Sequence, residues 1–371
     1  MVFLTSLPAV AQGSATIVID VEEGKVLSHT DSDKLWFPAS LTKMMTAYVA
    51  FQALKAERLA ATSPVKISAN ALRQAPSKMG FKVGTVMNVD NALKMMLVKS
   101  ANDIAVAIAE TVSGSEPTFV ANMNVEAGRL GMVSTHFNNP NGLPDSGQVT
   151  TARDFAVLAR ALWVDFPEYR AYFGIPAIKA GKRVLRSQNK LLEQYRGTMG
   201  MKTGFICSSG FNIVATANRS GRTVIAVVLG GTSSATRNET AARILDDGFR
   251  TWFTSAKPDL ATFQATPSTG VPANLRDRVC GKRVKHEDDE ADQATGDAPT
   301  RTYLVPRFVL MDPVPVYTGR ADPAPGETVR NKPVLASRMP MPRLRPKIAA
   351  AASAFAPDPA AESPTAIQAQ P

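Results

Sequence analysis

Phe37-Pro38-Ala39-Ser40-Leu41-Thr42-Lys43-Met44-Met45-Thr46-Ala47-Tyr48-Val49-Ala50-Phe51 runs from a proline into a segment that is apolar on almost every side. Pro38 suits the approach to a helix, and Ser40 suits its first turn. A helix that is apolar all round is buried rather than laid on the surface. Ser40 and Lys43 are three apart, so they lie one turn apart on the same face. Burial disfavours the charged amine, lowers its pKa and lets it act as a base. A serine beside such a base is an activated nucleophile.

The motif alone is weak, because Ser-x-x-Lys occurs three times: Ser40/Lys43, Ser63/Lys66 and Ser187/Lys190. A serine at a helix start is ordinarily just a cap. The second copy contains Pro64 in a polar link, and the third is polar throughout. Only the first opens a long apolar helix.

Outward from this stretch, residues 1–11 form a short apolar run ending in Ala9-Val10-Ala11, which reads as the remnant of a secretory signal peptide. No stretch is apolar for the ~20 residues that a membrane helix requires. The net charge of +10 suits acidic polymers or surfaces, yet the basic residues are scattered without aromatic interleaving, which argues against nucleic acid. His29, His136 and His286 are scattered and no Gly-x-Ser-x-Gly is present, which argues against a Ser-His-Asp hydrolase. Cys207 and Cys280 are too few for a zinc site. As the only two cysteines of an exported chain, they are expected to pair.

Residues 15–29 alternate around Glu22-Glu23-Gly24 and predict a hairpin. Residues 55–87 are mixed and polar. Two helical runs in 89–112 meet at Lys99–Asp103, followed by helices over 117–131 and 151–164, with a loop at Asn138–Asp145 between them. Residues 199–231 predict an antiparallel hairpin turning at Asn218-Arg219-Ser220-Gly221, and 234–254 an amphipathic helix. Strands at both ends with helices between predict an α+β fold: an antiparallel sheet flanked by helices, with a mostly helical insertion. Residues 12–258 form the predicted catalytic domain. Residues 259–371, rich in Pro, Ala and charge, read as a mostly disordered tail.

Ser40-x-x-Lys43, Ser100-x-Asn102 and Lys202-Thr203-Gly204 fall in the order and rough spacing of the penicillin-recognising serine enzymes. With the flanks Phe37–Thr46, Asn138–Leu143, Thr151-Ala152-Arg153-Asp154 and Gly200–Gly204, residues 15–254 resemble the D-alanyl-D-alanine carboxypeptidases, which are low-molecular-mass penicillin-binding proteins. A second Ser-Ala-Asn, Ser68–Asn70, is too close to Lys43 to serve.

The resemblance implies a β-lactamase/transpeptidase-like fold and an exported, periplasmic enzyme that needs no cofactor. Its expected partners are the D-Ala-D-Ala end of peptidoglycan pentapeptides and β-lactam antibiotics. Under it, Ser40 attacks the carbonyl of the penultimate D-alanine, neutral Lys43 takes the serine proton, and Ser100 relays a proton to the leaving amine. Asn102 holds the substrate amide and Lys43. Lys202 and Thr203 meet the substrate carboxylate, and Gly204 lets the strand approach closely. The backbone N–H groups of Ser40 and Phe205 form the oxyanion hole. Arg237 matches a family arginine near the carboxylate, beside the plainer reading of a solvated helix-start charge.

Two departures stand out. Gln188 and Asn189 occupy the place where many relatives carry an arginine before the pair Leu191-Leu192. Many relatives also continue into a β-rich domain ending in an amphipathic membrane anchor, and neither is expected from a tail whose residues Ser353–Pro371 are Ala- and Pro-rich with no basic apolar face. A β-lactamase is the main rival, but no Glu-x-x-Leu-Asn lies between Asn102 and Lys202. A penicillin-binding sensor without turnover is the other.

Overall fold

The computed structural model describes residues 13–251, 256–281, 303–305 and 311–319. The predicted signal-peptide remnant and most of the predicted tail lie outside these residues. In chain order the strands are β1 (Ala15–Asp20), β2 (Val26–Thr30), β3 (Pro64–Lys66), β4 (Val86–Asn88), β5 (Ala177–Ala180) and β6 (Arg183–Arg186). They continue with β7 (Thr198–Ile206), β8 (Gly210–Arg219), β9 (Arg222–Gly231) and β10 (Val314–Val316). The helices are α1 (Lys43–Lys55), α2 (Ala69–Leu72), α3 (Val89–Val98), α4 (Asn102–Ser113) and α5 (Glu116–Leu130). After them come α6 (Ala152–Asp165), α7 (Leu191–Gln194), α8 (Ser234–Arg250) and α9 (Arg276–Cys280).

The main sheet is antiparallel, in the order β2-β1-β9-β8-β7. β1 lies along β9 with Ala15 opposite Leu229 and Asp20 opposite Val224, so the two ends of the domain close on each other. Strand residues alternate between two faces, and both faces are covered. Ile213, Ala215, Ala226 and Val228 meet Ala241, Ala242 and Leu245 of α8 on one side. Val214, Ile225, Val227 and Leu229 join the helical layer on the other. Covered faces explain why these strands read as nearly unbroken apolar runs. β7 stands at the edge of this sheet, with a ladder on one side only.

The helical insertion forms around α1, which is buried from Lys43 to Phe51. Its neighbours start where their sequences provide caps. Asn88, Ser115 and Thr151 accept hydrogen bonds from the backbone N–H groups of Asn91, Thr118 and Asp154. α5 ends at Gly131, whose φ of 75° is the left-handed conformation common after a last helical turn. The predicted junction between two helices appears as Lys99-Ser100-Ala101, with Ser100 at φ 61°. The mixed polar stretch 55–87 contains a small antiparallel pair that was not predicted, β3 with β4.

The boundary at 258 is corrected. Residues 256–281 run back over the domain as a strap. Its backbone joins the first hairpin through Val26 N to Pro258 O at 2.9 Å and Leu260 N to Gly24 O at 2.9 Å. Arg153 is buried and donates to the carbonyls of Leu260, Ala261 and Phe263 while pairing with Asp154 at 3.0 Å. The strap continues past Leu35 and ends where Cys280 is disulfide-bonded to Cys207. β10 adds a parallel strand to the β5–β6 hairpin. A tail was predicted because the strap has no hydrophobic period. It is held instead by backbone hydrogen bonds and isolated anchors at Leu260, Ala273, Leu275 and Val279.

In Thr151-Ala152-Arg153-Asp154, then, the threonine caps α6 and the arginine clamps the strap. Asp154 also accepts from Ser134 N at 2.8 Å and Thr135 Oγ1 at 2.7 Å, and burial pushes its carboxyl above the usual carboxylate range. Arg153→Leu leaves this carboxylate without its cation. Breaking a buried pair costs about 3–5 kcal/mol, which in a domain of this size lowers the melting temperature by roughly 10 °C. Thermal unfolding by circular dichroism measures it, and an unchanged melting temperature contradicts the clamp.

Candidate active site

Ser40 lies in a 3-10 turn, Ala39–Thr42, immediately before α1. The turn has no side-chain cap, and Ala39 takes a φ of 49° that only a tightly held non-glycine residue adopts. Ser40 therefore does not serve as the helix cap, and its half-buried hydroxyl is left for the lysine. Lys43 Nζ is 3.1 Å from Ser40 Oγ, 2.7 Å from Asn102 Oδ1 and 2.5 Å from the carbonyl of Asn141. Its side chain is fully buried. Asn102 Oδ1 and the Asn141 carbonyl each receive an N–H of the amine, and its third contact is the serine oxygen. Once protonated, the amine has acceptors for the charge it gains.

Asn102 opens α4 and works in two directions. Its Oδ1 receives Lys43, and its Nδ2 donates to Ala75 O at 2.9 Å. Ser100 does not cap α4, because the cap position is Ala101. Ser100 Oγ is buried and has no hydrogen-bond partner among the described residues. A buried, unpaired hydroxyl on left-handed backbone is costly and calls for a partner outside the folded chain.

The third motif lies on the edge strand β7. A side chain at Gly204 would meet the backbone at Pro38 O, Ser40 N and Leu41 N, each 3.1 Å from its Cβ. A Cβ there would make the turn or the strand give by a few tenths of an ångström, so glycine favours this close approach of β7 to the serine turn. Lys202 and Thr203 are buried beside it, and Lys202 Nζ donates to Thr203 O at 2.7 Å. Phe205 packs against Phe211 across the ladder, with ring centroids 4.3 Å apart. Arg237 is 1% exposed, which rules out the solvated-charge reading. Its guanidinium points at Asn212 O, and Asn212 is the β8 residue opposite Gly204. Asn189, where relatives were expected to carry arginine, is buried and receives Leu191 N on its Oδ1.

Several site residues were not singled out from the sequence. Asn141 supplies its carbonyl to Lys43 and its amide to Gln74 Oε1 at 3.0 Å. Thr46 donates to Pro140 O at 2.5 Å. Gln148 Oε1 receives the N–H groups of Asn138 and Asn139 at 2.9 and 3.0 Å. Gly142, at φ 85°, presses so closely on Ala39 and Ser40 that a Cβ there would sit 1.9 Å from Ala39 O. Asn212 Nδ2 donates to Phe37 O at 3.0 Å and ties the serine approach to the sheet. The available signal was the density of amides around Asn138–Asn141. Side-chain amides can stand in for the backbone pairing that such a loop lacks.

The rival motifs are occupied structurally. Ser63 Oγ receives Ala60 N, Ser187 Oγ receives Asn189 N and Ser68 Oγ caps α2. Asn70 donates to Glu110 and Glu116. An open groove of about 630 Å³ lies toward the other end of α1, lined in part by Tyr48, Lys55, Glu126, Arg129 and Asp165. Arg129 pairs there with Glu126 at 2.7 Å, and Lys55 donates to the carbonyl of Asp165 at 2.8 Å. Burial, opposed by Arg129 and reinforced by Asp165 and Glu126, pushes the Tyr48 phenol up to about 12. None of the predicted site residues lines this groove.

Residues 2–233 match the model of peptidase family S11, D-alanyl-D-alanine carboxypeptidase. The chain is 37% identical over 258 residues to D-alanyl-D-alanine carboxypeptidase DacC of Escherichia coli, covering 67% of this chain and 64% of that protein. It thus spans just under two thirds of that relative. The crystal structure of DacD from Francisella tularensis superposes with a TM-score of 0.62 at 30% identity, covering 67% of this chain and 74% of the other. Penicillin-binding protein D2 from Listeria monocytogenes, solved in a cefotaxime-bound form, gives 0.58 at 30% identity over 64% of this chain and 96% of its own. With the serine turn, the buried lysine and the edge-strand glycine in place, this chain belongs to the D-alanyl-D-alanine carboxypeptidase family of serine peptidases.

Proposed function

We propose that this protein is an exported serine-type D-alanyl-D-alanine carboxypeptidase that trims the terminal D-alanine from peptidoglycan pentapeptides and is acylated by β-lactams. The observation that carries the reading is the placement of Lys43 Nζ, 3.1 Å from Ser40 Oγ and held by Asn102 and Asn141.

In the first step Ser40 Oγ bonds to the carbonyl carbon of the penultimate D-alanine while its proton passes to neutral Lys43. The negative charge that develops on the carbonyl oxygen falls between the N–H groups of Ser40 and Phe205, on two elements that approach closely at Gly204. The C–N bond then breaks. Ser100, whose Oγ has no hydrogen-bond partner among the described residues, passes a proton to the leaving amine and recovers one from Lys43. Free D-alanine departs and an acyl-serine remains. Water repeats the sequence in reverse order of bonds, regenerating Ser40 and releasing the shortened peptide. Lys202, Thr203 and Arg237 provide the positive and hydrogen-bonding end that receives the terminal carboxylate.

The open side of β7 can take the substrate backbone as an added strand. A β-lactam presents a similar amide and carboxylate, so it acylates the same oxygen. The Listeria relative with cefotaxime bound supports this part of the reading. Export is favoured by the Cys207–Cys280 disulfide, since such bonds persist in oxidising compartments. Finding the protein only in the cytosol after cell fractionation would refute export. No helix among the described residues is long and apolar enough to cross a membrane.

Ser40→Ala is expected to abolish both labelling by fluorescent penicillin and D-alanine release from a pentapeptide while the circular dichroism spectrum stays native. Labelling that persists in this variant refutes the assignment. Lys43→Ala is expected to slow acylation by about 10²–10⁴-fold, the usual contribution of a positioned base. Measuring D-alanine release beside penicillin turnover separates the carboxypeptidase from a β-lactamase and from a sensor without turnover. Gly142→Ala places a methyl against Ala39 O, so acylation is expected to fall by at least about tenfold through misplacement of the serine turn. Wild-type labelling kinetics in that variant would show that the turn tolerates the push.

A further inference from the structure

Granting the acyl-transfer reading, the oxyanion hole is shared by two elements: the Ser40 turn and β7. Catalysis depends on the distance between them, and a misplacement of about 1 Å can cost 10²-fold in rate. Among the described residues β7 has one ladder partner, β8, and it ends in the tight turn Ile206–Gly210. Within the domain this turn is tied to the serine approach by Trp36 Nε1, which donates to Ser209 O at 2.8 Å.

The strap adds a second tie at the same place. Ala273 N donates to Leu35 O at 3.1 Å, five residues before the nucleophile. Two residues later Leu275 N donates to Ser208 O at 2.9 Å, three residues after Phe205. Leu275 also packs so closely on Gly210 that a Cβ at Gly210 would lie 2.9 Å from Leu275 Cδ1. One turn further on, Cys280 is bonded to Cys207, two residues past Phe205. Ala273, Leu275 and Val279 are buried, while Asn274, Arg276, Asp277 and Arg278 between them are exposed. The strap therefore touches both halves of the oxyanion hole's support within three residues. Its other end is fixed far along the chain by Arg153 and the β1–β2 turn.

We propose that residues 273–280, closed by the Cys207–Cys280 disulfide, are a positioning element that holds β7 at its working distance from the Ser40 turn. None of these residues is among those assigned to the substrate above. They act through Leu35 and Ser208.

The two ends of the strap make the test. The double variant Cys207→Ser/Cys280→Ser releases the site end, and Arg153→Leu releases the remote end. Acylation of each by fluorescent penicillin is followed at a temperature at which circular dichroism shows both folded, and melting temperatures are recorded alongside. The double variant is expected to acylate at least about tenfold more slowly. Arg153→Leu is expected to melt earlier yet acylate at the wild-type rate. Wild-type acylation in the double variant overturns the proposal. So does a loss of acylation that follows melting temperature in both, because that is what a merely structural strap would give. If the double variant does not fold, Ala273→Pro replaces it, since it removes the N–H to Leu35 and keeps the disulfide, and the same two outcomes apply. A wild-type protein that takes no label at all would defeat the proposed activity, not the strap.

Discussion

Everything in this molecule that bears on chemistry depends on keeping one buried amine beside one hydroxyl. Lys43 has no exposure, and a charge without acceptors at such depth would be expensive. Its acceptors come from separate parts of the chain: Asn102 at the start of α4 and the carbonyl of Asn141 in an irregular loop. Each acceptor is itself held. Asn102 is tied to Ala75, and Asn141 to Gln74, so the turn after α2 supports both. The result is a site whose groups are oriented before a substrate arrives, which is the condition under which positioned dipoles contribute most.

The sheet serves the same end from the other side. By closing β1 on β9, the chain puts its first hairpin at the far edge and leaves β7 open. The open edge is a hazard in most proteins, because unpaired strand groups invite other chains. Here it lies against the serine turn, where Gly204 removes the side chain that would crowd the two. Burial on both faces fixes the sheet's register, and so fixes which residues of β7 point at the turn.

Much of this was legible in the sequence, for definite physical reasons. α1 was visible because it is apolar on every side, and the β8–β9 hairpin because both its strands are apolar and a polar turn separates them. Ser40, Lys43, Ser100, Asn102 and Lys202 could be named because each sits where a helix or strand begins or where a short motif marks it. Asn141 and Gly142 could not, because their roles rest on a backbone carbonyl and a close approach, neither of which has a residue signature. The strap was misread for a similar reason. Its contacts are main-chain hydrogen bonds and scattered anchors, with no period of 2 or 3.6 to detect. Arg237 was ambiguous because a charged residue in the first turn of a helix is usually solvated. Only the packing of α8 on β8 and β9 buries it.

The site therefore has no local precursor. Residues 40–43, 74–77, 100–102, 139–143 and 202–205 must all be in place before Lys43 has its acceptors and Ser40 its neighbours. Contacts of such long sequence separation must each offset the entropy of closing a long loop. Two of the segments, the Ser40 turn and the Ser100 junction, also hold non-glycine residues at positive φ. Such conformations persist only where surrounding contacts over-determine them. The amide-rich loop, the Gly204 approach and the buried lysine are those contacts, so the packing that stabilises the helical layer is also what keeps the reactive geometry from relaxing.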